Sequence, residues 1–160
     1  MTLDSRRQTF EPAIRRVLHL YWRFSRGLTF GVRAVVVNES GAVFLVKHSY
    51  VSGWHLPGGG VETGETMQEA LARELFEEGG ITLLGIPALH GIFHNAHVSR
   101  RDHVAVFVVR AFRQEGGPRH VREIIGHGFF ARDALPADAT RGARARLAEV
   151  FDGAATSQRW

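Results

Sequence analysis

The amino-acid sequence predicts an α/β fold built as a single domain. Several short runs rich in β-branched and aromatic residues are bounded by glycine, asparagine or proline, which is typical of strands. Two other segments, 66–78 and 139–151, carry apolar residues at helical spacing. A length of 160 residues suits one domain with a genuine hydrophobic core.

The first predicted element is an amphipathic helix from Pro12 to about Arg26. Its apolar positions recur at a helical period with arginines between them: Ile14, Val17, Leu18, Tyr21 and Phe24. Such a helix packs on its own domain or on a second subunit, or lies on a membrane surface. Packing is favoured because the helix is short, and a homodimer is one way to bury it. Residues 1–27 are thus interpreted as an N-terminal tail and helix.

Beyond Gly27 the pattern predicts strands. A hairpin is expected from strands at 29–37 and 42–48 with a turn between them, followed by a short extended piece at 54–60. The helix at 66–78 ends at a glycine pair. The remaining elements are strands at 88–93, 103–112 and 124–131, a closing helix at 139–151 with Leu147 and Val150 facing inward, and a tail at 153–160.

Composition excludes several classes of function. The chain has no cysteine, which excludes a disulfide framework, a thiolate metal site and a cysteine nucleophile. No apolar run approaches the roughly 18–20 residues that span a bilayer, and no signal peptide is evident. A cytoplasmic location is therefore expected. The net charge of +4 is mild and its basic residues are spread out, which argues against a stable nucleic-acid partner.

The helix at 66–78 carries carboxylates on its apolar side. On a helical wheel, Glu74, Glu77 and Glu78 continue the face that is apolar in the first turns. A solvated acidic face would instead place them opposite the apolar residues. Like charges at this spacing repel, so an inward cluster needs a counter-charge, and Mg²⁺ or Mn²⁺ suits hard oxygen ligands. The glycines at 58–60 let a backbone carbonyl approach the same place.

This segment resembles the Nudix box. The box reads glycine, five residues, glutamate, seven residues, arginine-glutamate, aliphatic, any residue, glutamate-glutamate, any residue, glycine and aliphatic. The matching positions are Gly59, Glu65, Arg73, Glu74, Leu75, Glu77, Glu78, Gly80 and Ile81. The preceding run from Trp54 to Gly59 resembles the lead-in common in this family.

The resemblance implies a Nudix α/β/α sandwich with a mixed sheet over residues 28–152, carrying a loop-helix-loop catalytic motif. It also implies an enzyme that hydrolyses a pyrophosphate linkage in nucleoside diphosphate-X compounds. In such a reaction water attacks phosphorus while Mg²⁺ or Mn²⁺ neutralises the phosphate charge. The alternative from another class is a Nudix-fold module that binds a nucleotide without catalysis. Complete retention of the glutamates argues against that alternative.

The resemblance also implies roles for individual residues. Glu74, Glu77, Glu78 and the Gly59 carbonyl would hold the metal ion, while Glu65, Arg73 and Gly80 would support the motif. The general base is a glutamate whose position varies within the family. Three residues stay open for that role: Glu123, Glu115 and Glu74.

The substrate is the least readable part of the sequence. Signatures that mark several Nudix subfamilies are missing, which leaves a small nucleotide or nucleotide derivative of open identity. Histidines cluster after the box, and among them His94 and His97 are candidates for contacts with phosphate. Trp54 and Phe93 are candidates for stacking on a base, although aromatic residues near a sheet are more often part of the core.

Overall fold

A computed structural model describes Tyr21, residues 27–119 and residues 122–160 of the chain. Apart from Tyr21, the helix predicted at 12–26 lies outside the described residues. The elements are β1 Thr29–Val36, β2 Val43–His48, β3 Trp54–His55, α1 Met67–Gly79, β4 Ile81–Leu83, β5 Ala88–His94, β6 Asp102–Val109, β7 Phe112–Gln114, β8 Ile124–Phe130, a 3₁₀ turn Arg132–Ala134, and α2 Arg141–Phe151.

The strands form a three-stranded mixed sheet, a three-stranded antiparallel sheet and a two-stranded antiparallel sheet. In the mixed sheet, β6 lies between β1, which runs parallel to it, and β5, which runs antiparallel. β2 lies between β3 and β8 in the second sheet, and β4 pairs with β7 in the third. The predicted α/β class with a mixed sheet is therefore confirmed.

The hairpin predicted from β1 and β2 is wrong. The turn forms, because the Asn38 side-chain oxygen accepts from the Ala42 N–H at 2.9 Å, but the strands share only the bridge between Val37 and Val43. The glycine loop instead pairs with the free edge of β1. The N–H groups of Val32 and Ala34 donate to carbonyls in the loop at 2.8 and 2.9 Å. The edge of β1 that a hairpin would occupy is thus used to hold this loop against the sheet.

The single long strand predicted at 103–112 is also wrong. β6 ends at Val109, and the chain turns before Phe112 begins β7. β7 pairs with β4, a three-residue strand directly after α1 that the sequence pattern does not predict. A nearly continuous apolar run hides this break, because Phe112 of β7 packs, partly buried, against the same hydrophobic cluster as β6.

Two hydrophobic clusters lie on opposite sides of the strands. α1 buries Ala70, Leu71 and Leu75 against one side, together with Phe44 and Phe107 from the strands. α2 buries Ala143 and Leu147 against the other side, as the sequence predicts for Leu147. The result is an α/β/α sandwich. Among the described residues, no helix combines the length and apolar character needed to cross a membrane.

Residues 153–160 pack along the edge of β5. The His94 N–H donates to the Gln158 carbonyl at 2.9 Å, and the Trp160 N–H donates to the His94 carbonyl at 3.1 Å. The Trp160 ring lies 6.3 Å from that of Phe93, edge to face. The C-terminal residues are therefore packed as part of the domain.

Candidate active site

The glycine loop is held in an unusual backbone conformation beside β1. Gly58 has a φ of 133°, and a Cβ there would collide with the Val32 carbonyl oxygen. Arg33 reaches from β1 and donates to the carbonyls of Leu56, at 3.1 Å, and Gly58. The loop therefore depends on glycine at position 58 for its path.

Glu78 is the buried acid of the site. Its side chain is 8% exposed, and its carboxylate accepts from the Gly58 N–H at 2.6 Å. The Nε2 atom of His48 lies 3.4 Å from its other oxygen. Burial raises the pKa of the Glu78 carboxyl to about 7, against the opposing effects of Arg33 and the Gly58 hydrogen bond. The ionised form is thus poorly compensated by protein groups alone.

His48 belongs to this site, although the sequence reasoning missed it. Burial, followed by the positive charge of Arg33, lowers the pKa of its imidazole to about 4. Its Nδ1 atom is buried without a hydrogen-bond partner. The available signal was a polar residue closing the apolar strand Val43–His48, just before the glycine loop.

Arg73 ties the loop to the helix. Its guanidinium donates to both carboxylate oxygens of Glu65, at 2.9 and 3.0 Å, and to the Gly60 carbonyl at 3.0 Å. It also donates to Glu74 at 2.7 Å and lies 3.6 Å from Glu77. The hydrogen bond from Arg73 is the main cause that lowers the pKa of Glu65 to about 2. The fork geometry of a guanidinium suits this bridge between three acids and a carbonyl.

Glu74 and Glu77 line the same cleft as Glu78 and Gly59. The Glu74 carboxylate lies so close to Gly59 that a Cβ there would overlap it. The Gly59 carbonyl accepts from the Val32 N–H at 2.8 Å, which leaves one lone pair for a cation. Within the described residues, no three acidic or histidine side chains stand at metal-holding distance from one another.

The donor set nevertheless fits a hard divalent cation. Carboxylate and carbonyl oxygens are the ligands that Mg²⁺ and Mn²⁺ prefer. Glu78 is buried with a raised pKa, and a cation beside it would supply the missing compensation for its ionised form. Glycine at 59 leaves the space that the Glu74 carboxylate occupies.

The two loop glutamates lie in different surroundings. Glu123 is exposed and lines the cleft, and its carbonyl accepts from the Ser49 N–H at 2.8 Å. Glu115 follows β7, and its carboxylate lies 3.1 Å from the Nε atom of Arg113. Among the described residues that line the cleft, Glu123 is present and Glu115 is not. The geometry therefore favours Glu123 over Glu115 as a base.

Gly80 serves the end of α1. It adopts the left-handed conformation with a φ of 62°, and its N–H donates to the Phe76 carbonyl at 3.0 Å. A Cβ there would meet the Glu115 carbonyl oxygen. The position supports the motif by ending the helix, with no direct part in the cleft lining.

The four side chains predicted to contact the substrate lie in different parts of the structure. His97 is exposed and lines the cleft. Trp54 packs edge-on against Phe130 at 4.8 Å within the hydrophobic cluster beneath α2, and Phe93 is fully buried there. The His94 ring lies 5.2 Å from the ring of His103, tilted against it, and its Nε2 atom lies 3.2 Å from the Arg100 carbonyl oxygen. Of the four side chains, only His97 is among the described residues that line the cleft.

Comparison with known proteins agrees with this architecture. The chain matches the NUDIX domain over residues 27–151. The crystal structure of a MutT NUDIX hydrolase from Burkholderia pseudomallei superposes with a TM-score of 0.67 at 29% identity, covering 77% of this chain and 98% of that one. A UDP-X diphosphatase structure superposes with a TM-score of 0.63 at 26% identity, covering 87% of this chain and 71% of that one.

Curated relatives match over shorter stretches. The "Putative 8-oxo-dGTP diphosphatase" of Bacillus subtilis is 37% identical over 76 residues, which are 48% of this chain and 50% of that protein. An RNA pyrophosphohydrolase of Vibrio vulnificus is 41% identical over 56 residues, 35% of this chain and 33% of that protein. The chain thus spans a third to a half of the length of these relatives. Since the domain match covers most of the chain and agrees with the fold and the box residues, the chain belongs to the Nudix family.

Proposed function

We propose that this chain is a divalent-metal-dependent hydrolase that cleaves the pyrophosphate linkage of nucleoside diphosphate derivatives. The observation that carries the proposal is the buried carboxylate of Glu78, with Glu74 and Glu77 lining the same cleft. A buried acid with a pKa near 7 is costly to keep ionised unless a cation occupies the site. A site built for a metal-bound diphosphate accounts for that cost.

The metal ion would be held by Glu74, Glu77, Glu78 and the carbonyl of Gly59. When bound, Mg²⁺ or Mn²⁺ supplies charge that stabilises the phosphate oxygens as the linkage breaks. Arg73 would orient Glu74 relative to the glycine loop, because its guanidinium donates to Glu65, to Glu74 and to the Gly60 carbonyl. His48 and the Gly58 N–H orient the two oxygens of Glu78.

The attacking water needs a base that reaches the cleft. Glu123 is exposed, lines the cleft and has its backbone fixed to Ser49, so its carboxylate can accept the proton as the water oxygen bonds phosphorus. The bond between phosphorus and the bridging oxygen breaks, and two phosphate products result. Glu74 remains the alternative base, although its carboxylate already accepts from Arg73 at 2.7 Å.

The relatives suggest which substrates to compare. One is named for 8-oxo-dGTP, one for RNA and one for UDP-X compounds. The compounds in all three names carry a phosphoanhydride bond attached to a nucleotide, and hydrolysis of such a bond is the chemistry that the carboxylate cleft suits. The leaving group is left to experiment.

The decisive experiment is a hydrolysis assay with Mg²⁺ and with Mn²⁺, on deoxynucleoside triphosphates including an oxidised one, RNA with a 5′ triphosphate, ADP-ribose and UDP-sugars. We expect hydrolysis of at least one class and its complete loss with a chelator. Glu77→Gln and Glu78→Gln should each lower kcat at least about a hundredfold. Glu62→Gln is the control, because Glu62 is exposed and outside the cleft lining.

Two results would count against the proposal. Activity in Glu78→Gln equal to that of the wild type would mean that the assigned carboxylates are not the metal site. A wild-type protein that binds nucleotides but hydrolyses none of the panel would favour the non-catalytic module.

A further inference from the structure

Three exposed apolar side chains line the cleft. Tyr50 is 71% exposed, Val51 42% and Val98 75%, and all three line the cleft that holds Glu74, Glu77 and Glu78. Large apolar groups left exposed beside a concave polar site are typical of ligand contacts. None of the three belongs to the Nudix box or to the candidates drawn from the sequence.

The loop that carries Tyr50 is fixed at both ends. The Ser49 N–H donates to the Glu123 carbonyl at 2.8 Å, and the Trp54 N–H donates to the Asp138 carbonyl at 3.0 Å. Gly53 lies between them with a φ of 90°, packed where a Cβ would meet Asp138. The exposure of Tyr50 is therefore a property of an anchored loop.

Val98 is presented by an equally ordered turn. Its N–H donates to the Asn95 carbonyl at 3.1 Å, and the Asn95 side chain donates to the Asp102 carboxylate at 2.8 Å. Asn95 is 8% exposed, so the turn is anchored from within. Two ordered loops from different strands thus place apolar surface in one cleft.

The ring of Tyr50 lies next to the carboxylate cluster. Its centroid is 5.2 Å from the imidazole of His48, whose Nε2 atom is 3.4 Å from Glu78. Partial desolvation and the charge of Glu78 raise the pKa of the Tyr50 hydroxyl, which agrees with a ring that stands beside the acids. A group joined to the metal-bound diphosphate can therefore reach this ring. The cleft, which continues to the C-terminal residues and measures about 1450 Å³ over its whole extent, has room for a whole nucleotide.

We propose that Tyr50 stacks on the base of the substrate nucleotide, with Val51 and Val98 completing an apolar subsite for that base. This inference rests on the proposed function and deepens it. An aromatic face suits the π surface of a purine or pyrimidine, and stacking of this kind tolerates different bases. Trp54 and Phe93, the sequence-based candidates, are engaged in the core instead.

The test compares Tyr50→Ala and Tyr50→Phe with the control Ile86→Ala. Ile86 is 85% exposed and outside the cleft lining. For the best nucleoside triphosphate, Tyr50→Ala should raise KM about five- to a hundredfold with kcat within about twofold. Tyr50→Phe and Ile86→Ala should match the wild type. For inorganic tripolyphosphate, which has no base, all four proteins should share one KM.

Binding of a β,γ-methylene nucleoside triphosphate separates this inference from the proposed function. If the wild type binds this analogue without hydrolysing any nucleotide, and Tyr50→Ala weakens the binding, the base subsite stands and the proposed hydrolase fails. A KM and analogue affinity in Tyr50→Ala within twofold of the wild type overturn the subsite. Equal loss of kcat in Tyr50→Ala and Tyr50→Phe also overturns it, because the hydroxyl would then be the group that matters. Failure of the wild type to bind the analogue overturns the subsite, whereas the proposed function fails only if no member of the hydrolysis panel is cleaved.

Discussion

Gly58 and Gly60 stand two positions apart in one loop, yet their surroundings are opposite. Gly58 has a φ of 133°, and a Cβ there would collide with the Val32 carbonyl oxygen. Gly60 has open space where a Cβ would lie. We expect Gly58→Ala to lower the free energy of unfolding by about 1–3 kcal/mol from backbone strain alone, with the collision adding to that loss. Gly60→Ala should change it by less than about 0.5 kcal/mol.

Urea denaturation of the two variants measures this difference, and the hydrolysis assay follows the site. Displacement of the loop in Gly58→Ala should also break the hydrogen bond that the residue 58 N–H donates to the Glu78 carboxylate. Hydrolytic activity should therefore fall together with stability. Equal stability of the two alanine variants would show that the backbone conformation of Gly58 beside β1 does not contribute to the free energy of unfolding.

Arg73 offers a second prediction for a single side chain. A lysine keeps the charge but replaces a planar fork with one ammonium group, which cannot bond Glu65, Gly60 and Glu74 at once. Arg73→Lys should therefore lower kcat about 10–100-fold, the loss usual for residues that orient metal ligands. Circular dichroism should show an unchanged fold. Activity within twofold of the wild type would contradict an orienting role for Arg73.

The helix α1 begins with a capping box formed by Thr66 and Glu69. The Thr66 hydroxyl accepts from the Glu69 N–H at 3.2 Å, and the Glu69 carboxylate accepts from the Thr66 N–H at 2.8 Å. Thr66→Ala should cost about 0.5–2 kcal/mol of stability. Thr63→Ala, at an exposed position in the preceding turn, is the control. Thermal unfolding of both variants decides the matter, and an equal Tm would mean that the cap contributes nothing.

The predictability of an element follows from how local its signals are. α1 is predicted to within a residue at each end, because its cap, its apolar spacing and its terminal glycine all lie inside the segment. β4 is missed since three residues cannot show a period. The hairpin is predicted wrongly because its turn is local, while the segment that pairs with the edge of β1 is a loop 23 to 27 residues further along the chain.

The candidate site divides in the same way. The acids of α1 are readable from spacing, since one helix fixes their common face. His48 and Tyr50 are not readable, because their closeness to Glu78 and the cleft depends on how β2 meets the glycine loop. Trp54 illustrates the opposite error: it sits beside the motif in sequence but packs on Phe130 in the core.

A buried ionic cluster joins α2, β5 and the C-terminal residues. Arg146 is 1% exposed, and its guanidinium lies 2.6 Å from Glu149 and 3.8 Å from the centre of the Phe93 ring. Glu149 also contacts His90 at 2.9 Å and accepts from the Ser157 N–H at 3.0 Å. One carboxylate thus holds three separate parts of the fold together.

The charge of Glu149 should make stability depend on pH. Burial alone would raise the pKa of this carboxyl, but the bonds from Ser157, His90 and Arg146 lower it below its ordinary value of 4.5. A group whose pKa is lowered by folding stabilises the native state above its unfolded pKa, and this contribution disappears as pH falls through the folded pKa. Glu149→Gln should therefore be less stable than the wild type by about 1–3 kcal/mol at pH 7. The gap should close as pH drops below 4.5.

Urea denaturation of both proteins at pH 7, 5 and 3 measures the gap, with Glu39→Gln as an exposed control. Protonated Glu149 resembles glutamine in charge and in hydrogen bonding, which is why the two proteins should converge in acid. The control should follow the wild type at every pH. A gap that is the same at pH 7 and pH 3 would mean that the side chain's shape matters and its charge does not. Loss of the gap at pH 7 would mean that the tail is held by Trp160 and the backbone pairing to His94 alone.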